Sequence, residues 1–131
     1  MVQFKPIRVL IVEDSPDLAV LMGRMIQREP DLEEAGIVYS ADGLAREVEG
    51  HLANVVLIDL TMPGTPPVRA IDELTRAQPG CRVLAWSGYD DPQTITSAME
   101  AGAHAYVSKS CGMSDIIAAI RKVARSDSAP A

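Results

Sequence analysis

Five short apolar runs, each followed by a stretch patterned as a helix, constrain this chain more than any other feature. The runs are Ile7–Val12 (IRVLIV), Ala35–Tyr39 (AGIVY), Val55–Ile58 (VVLI), Val83–Trp86 (VLAW) and Ala105–Val107 (AYV). A strand wetted on one face alternates apolar and polar side chains. The first, third and fourth runs do not alternate, so they suit strands covered on both faces, as in a parallel sheet beneath helices. The second and fifth are weaker and leave their limits open.

Helical patterning fills the intervals. Ser15 suits an N-cap, Pro16 the first helical position and Asp17 the positive end of the dipole. Leu18, Leu21, Met22, Met25 and Ile26 then recur at helical spacing until Pro30 closes the segment. Leu44, Val48 and Leu52 sit four apart after Asp42; Val68, Ile71 and Leu74 sit three apart after Pro66-Pro67. Ile95, Ala98 and Met99 form a sparse fourth stripe, with Met22, Met25 and Met99 read as core filler. Ser114 and Asp115 open a last helix striped by Ile116, Ile117, Ile120, Val123 and Ala124. Strand and helix thus alternate five times with short connections, which predicts an α/β layer sandwich around a parallel sheet. The reading is one domain over 1–125, with 126–131 (SDSAPA) as a C-terminal tail or linker stub, either of a single-domain protein or of the excised front part of a longer one.

Composition removes several function classes. Eighteen acidic against twelve basic residues give a net charge of −6, which disfavours direct nucleic-acid binding and anionic membrane surfaces. No run approaches the roughly 20 apolar residues of a membrane span, and no signal-peptide pattern opens the sequence. Cys81 and Cys111 read as ordinary thiols of a reducing compartment, and His51 and His104 lack partners at zinc-ligand spacing. The expectation is a soluble cytoplasmic protein.

In open parallel sheets ligands bind at the carboxyl ends of the strands. Glu13 and Asp14 follow the first run, Asp59 the third, Ser87 and Gly88 the fourth, Ser108 and Lys109 the fifth. Three crowded carboxylates call for a hard divalent cation, for which oxygen ligands and a partly hydrated site suit Mg²⁺. A nearby lysine and hydroxyl point to an arriving anion. Metal, lysine and a carboxylate nucleophile together describe formation of an aspartyl phosphate, a reaction run mainly by positioning and charge neutralisation.

The segments VLIVEDSP at 9–16, LIDLTMPG at 57–64, VLAWSG at 83–88, AMEAGAHAYVSK at 98–109 and DIIAAIRKV at 115–123 carry a resemblance over essentially the whole chain. The sequence resembles the receiver domain of bacterial two-component response regulators. The resemblance implies a flavodoxin-like (βα)5 three-layer sandwich with a five-stranded parallel sheet in order 2-1-3-4-5. It implies that Asp59 is the phosphoacceptor, loaded by a sensor histidine kinase, a histidine phosphotransfer protein or a small phosphodonor. Asp14, Asp59 and the backbone carbonyl of Thr61 would coordinate Mg²⁺, with Glu13 acting through the metal's water shell. Ser87 would hydrogen-bond the phosphoryl group, Lys109 would pair with it, and Tyr106 would be the aromatic switch. The fourth helix, fifth strand and fifth helix would form the surface read by an output domain, an effector or a second copy. Such a chain signals rather than turning over a separate substrate.

Several positions depart from the commonest pattern. Ser110 stands where many members have proline, which is closer to receivers that precede helix-turn-helix output domains. Thr65-Pro66-Pro67 replaces an acidic-glycine turn and stiffens the loop beside Asp59. Ser87 stands in for threonine. Tyr89 lies where the family tunes phosphoryl lifetime, and its ring is expected to screen the acyl phosphate from water. Three other readings compete with this one. A haloacid-dehalogenase-like phosphatase also uses an aspartate nucleophile but needs an acid two residues on, where this chain has Thr61. A flavin module needs a glycine- and hydroxyl-rich phosphate loop, where Glu13-Asp14-Ser15-Pro16-Asp17 repels phosphate. The third is a receiver-fold interaction module that is never phosphorylated.

Overall fold

In the computed structural model, residues 5–88 and 91–125 are described. The expectations for Tyr89 and for the 126–131 tail fall outside the described residues. Strands β1 (Ile7–Val12), β2 (Leu32–Val38), β3 (Val55–Asp59), β4 (Arg82–Ser87) and β5 (Ala105–Ser108) alternate with helices α1 (Pro16–Gln27), α2 (Leu44–His51), α3 (Pro67–Ala77), α4 (Pro92–Ala101) and α5 (Met113–Arg125). All four strand pairings are parallel and the order is β2-β1-β3-β4-β5. This is the flavodoxin-like sandwich anticipated above.

Strand alternation sorts the core into two layers. Val9, Ile11, Val55, Leu57, Leu84 and Trp86 point to one face and pack against Ala19, Met22 and Ile26 of α1 and Ile116, Ile120 and Val123 of α5. Leu10, Val12, Val56, Ile58, Val83 and Ala85 point to the other, against α2, α3 and α4. The order reverses at β1: the chain runs outward to β2 and then returns through β3 toward β5. Right-handed crossovers therefore put α1 on one face and α2 to α4 on the opposite one. That reversal opens a crevice at the carboxyl ends of β1 and β3.

The structure corrects several local readings. β2 begins at Leu32, earlier than the expected Ala35, and stops short of the exposed Tyr39. Glu33 and Glu34 are tolerated because β2 is an edge: Glu33 pairs with Arg8, and the Glu34 N–H donates to Gln27 Oε1 at 2.9 Å. A bulge at Ala35 accompanies them, since Val9 pairs with Glu34 and Leu10 with Gly36. In α1 the buried stripe is Ala19, Met22, Gly23 and Ile26, whereas Leu21 is 55% exposed. Leu52 does not continue the α2 stripe; it caps the helix in the left-handed region (φ 53) and is 72% exposed. Met99 is not core filler, being 42% exposed. Ser15 occupies the N-cap of α1, yet its hydroxyl makes no cap bond. Asp91, unremarked in the sequence, caps α4 by accepting from the Gln93 N–H at 3.1 Å and the Thr94 hydroxyl at 2.6 Å.

Candidate functional site

The same alternation that builds the core delivers the chemistry. Glu13 is two residues beyond Ile11, Asp59 two beyond Leu57, and Lys109 two beyond Val107, so all three continue the α1/α5 face at the carboxyl ends of their strands. Asp59 is the last residue of β3, Glu13 directly follows β1, and Lys109 directly follows β5. They meet there. The Lys109 ammonium donates to Asp59 Oδ2 at 2.9 Å and to Glu13 Oε1 at 3.1 Å, reaching partners 50 and 96 positions away from it in the chain. Glu13 and Asp59 are 1% and 2% exposed. Buried carboxylates persist only when paired and hydrogen-bonded, and both are. Asp59 Oδ1 accepts the Thr61 N–H at 2.9 Å, and Glu13 Oε2 accepts the Ser15 N–H at 3.0 Å. Thus Glu13, rather than the Ser15 hydroxyl, quiets a free amide at the start of α1.

Asp14 lies on the solvent side of the notch. Glu13, Asp14 and Asp59 each offer a carboxylate oxygen, and the three oxygens lie within 4.8 Å of one another. The neighbouring Glu13 carboxyl, chiefly, with some loss of solvation and the Glu13 charge, raises the pKa of the Asp14 carboxyl above its ordinary value. Partial burial pulls the Lys109 ammonium down, but its bonds to Asp59 and Glu13 and their charges outweigh that, so its pKa is raised. Three carboxylates against one ammonium leave the notch two charges short of neutrality. Hard oxygen donors with that deficit fit a divalent cation. Ser15, Thr61 and Gly88 complete the walls.

Ser87 and Tyr106 belong to the opposite face. Ser87, 2% exposed, ends β4; Tyr106 packs half-buried against the α2–α4 layer. The Tyr106 hydroxyl donates to the Ser87 carbonyl at 3.4 Å, and the Lys109 backbone N–H donates to the same oxygen at 2.8 Å. One carbonyl therefore ties the expected switch ring to the chain carrying the lysine.

Two contributors escaped sequence reasoning. The Lys109 ammonium lies 4.6 Å from the centroid of the Trp86 ring. Asp42 Oδ1 accepts the Thr65 N–H at 3.1 Å, which moors the loop after Asp59 to the start of α2. Its close neighbour Gly64 sits at φ +88, a backbone that favours glycine. The lone tryptophan just before Ser87 was a visible signal for the first. A loop-to-loop bond across 23 residues has no sequence signature.

Comparison with known proteins agrees with this geometry. The family model for the response regulator receiver domain matches residues 9–121. The chain belongs to the receiver-domain family of response regulators. This receiver is 33% identical over 123 residues to response regulator GacA of Pseudomonas aeruginosa, covering 89% of this chain and 55% of that protein. It is 27% identical over 119 residues to transcriptional regulatory protein DegU of Brevibacillus brevis, covering 91% of this chain and 50% of that protein. It thus spans about half the length of these curated relatives. A LuxR-family two-component response regulator from Aurantimonas superposes with a TM-score of 0.85 at 25% identity, covering 92% of this chain and 86% of that one. The response regulator domain of Thermotoga maritima CheB gives 0.86 at 21% identity over 95% and 100% of the two chains, a likeness of fold. As a receiver domain, the chain is a signalling module of two-component systems. Among the described residues no helix is long and apolar enough to cross a membrane.

Proposed function

We propose that this receiver accepts a phosphoryl group on Asp59 with the help of Mg²⁺ and relays its presence to the α4-β5-α5 surface. The observation that carries the reading is the buried Asp59 carboxylate, bonded to Lys109 at 2.9 Å and grouped with Glu13 and Asp14. Glu13, Asp14, Asp59 and the Thr61 carbonyl are the groups that would hold the metal, which when bound neutralises the charge of the incoming phosphoryl group. A carboxylate oxygen of Asp59 attacks phosphorus, forming an O–P bond as the donor's bond to phosphorus breaks; the leaving group keeps that electron pair. The Thr61 N–H on Oδ1 fixes the Asp59 carboxylate for that attack. Lys109 then pairs with a phosphoryl oxygen, and the Ser87 hydroxyl turns to another. Tyr106, bonded to the Ser87 backbone, reports that movement to the outer surface of β5.

A sensor histidine kinase or histidine phosphotransfer protein would supply the phosphoryl group. The greater length of the relatives, one of them a transcriptional regulatory protein, supports an output domain beyond residue 125 as the reader, with a second copy on the α4-β5-α5 face as the alternative. The domain spans 1–125 in this reading, and 126–131 begins the linker. The phosphatase reading is disfavoured because Thr61, at the place of the required acid, has a hydroxyl and no carboxyl group.

Intact mass after incubation with acetyl phosphate and Mg²⁺ tests the proposal. The parent should gain one phosphoryl mass and Asp59→Asn none. A parent that gains nothing while remaining folded refutes phosphoryl acceptance and leaves the unphosphorylated interaction module. Equal gain in both proteins refutes Asp59 as acceptor.

A further inference from the structure

Trp86 is the sole tryptophan of the chain, and β4 seats it in register between Asp59 of β3 and Val107 of β5. It is 3% exposed, within the layer shared with α1 and α5. Among the described residues its buried indole nitrogen has no hydrogen-bond partner. A donor left so costs stability, and leucine or methionine would fill a core position without that cost. What an indole offers beyond bulk is its electron-rich face, and the Lys109 ammonium lies 4.6 Å from the ring centroid.

The ammonium thus has three described anchors: Asp59, Glu13 and the ring. The two carboxylates are the groups whose charge the proposed chemistry alters. Phosphoryl transfer converts the Asp59 carboxylate to an acyl phosphate, and a metal draws on the acidic cluster. The ring face is unchanged by either event. We infer that Trp86 is a positioning residue for Lys109, its indole face holding the ammonium over the notch while the charges on Asp59 and Glu13 change. The inference rests on the phosphoryl-acceptor reading for its consequence, but not for the contact itself.

Two measurements test it, and they fail separately. Without any phosphodonor, emission of the lone tryptophan is compared in the parent and Lys109→Met. A cation on the indole face perturbs its excited state, so emission intensity or maximum should change when the ammonium is removed; identical spectra overturn the inference, whatever Asp59 does. With acetyl phosphate and Mg²⁺, the phosphorylation rate is compared in the parent, Trp86→Phe and Trp86→Leu, with melting curves confirming each fold. Trp86→Leu should slow phosphorylation about three- to tenfold, and Trp86→Phe, which keeps an aromatic face, should recover most of the loss. Equal rates in leucine and phenylalanine variants of equal stability would show that the ring only fills space. A parent that accepts no phosphoryl group refutes the function proposed above, and the emission comparison then decides the contact alone.

Discussion

Lys109→Met isolates what the ammonium does for the resting fold. Its Nζ lies 2.9 Å and 3.1 Å from two carboxylates that are almost fully enclosed. Removing one partner of a buried ion pair costs about 3–5 kcal/mol, because the other charge is left uncompensated. Here Lys109 is itself 26% exposed, so solvent screens part of the attraction, and methionine keeps the packing of the aliphatic stem. The net loss should therefore be about 2–3 kcal/mol in the absence of metal. For a domain of this size that corresponds to a fall of about 6–15 °C in melting temperature. Mg²⁺ should restore part of it. With the ammonium gone, the notch lacks three charges rather than two, so the proposed metal should bind more tightly and stabilise by mass action. A tenfold gain in affinity would add about 1.4 kcal/mol at saturation. Circular-dichroism melts with EDTA and then with MgCl₂ provide the assay, and Lys122→Met on the exposed side of α5 is the control. The reasoning fails if Lys109→Met melts with the parent in EDTA, or if Mg²⁺ raises both proteins equally.

Three further outcomes follow from local geometry. Leu52 holds φ 53 while 72% exposed, so Leu52→Gly should stabilise by about 0.5–1 kcal/mol in urea titrations; destabilisation would mean that its side chain packs more than its exposure indicates. Gly102 sits at φ +126, and a methyl group there would lie 2.5 Å from Thr75 Cγ2, so Gly102→Ala should cost about 2 kcal/mol or more in the same titrations, and Thr75→Ser should return part of that. His104 Nδ1 accepts the Val83 N–H at 3.0 Å, and burial, then the Arg82 charge, lowers its pKa below the ordinary 6.5. The neutral ring is thus favoured in the fold: its contribution is complete above pH 6.5 and is lost as pH falls toward the folded value. Stability should drop more steeply between about pH 7 and 5 in the parent than in His104→Asn; parallel profiles would refute it.

The strands of the interior were legible because they are buried on both faces, and a run such as VVLI at 55–58 has few other homes. The carboxylates and lysine at their ends were legible for the same reason: in a parallel sheet every strand delivers its next residues to one edge. Boundaries at β2 and the exposed sides of α1 and α4 were not. Leu21 and Met99 carry the right spacing for burial, but helix rotation is set by which side chains fit the sheet, and Ala19 and Gly23 fit closer than leucine. Spacing also could not show that Leu52 leaves the helix, since a left-handed cap is a backbone event.

At the site the division is the same. Residue type and order alone predicted acidic groups, a lysine and a hydroxyl at one sheet edge. Only the tertiary structure decided that Glu13 is buried beneath Asp14, that one ammonium joins Glu13 to Asp59, and that an indole lies against that ammonium. Those are contacts between groups far apart in sequence, set by strand register and side-chain packing, and no local pattern encodes a distance across the sheet.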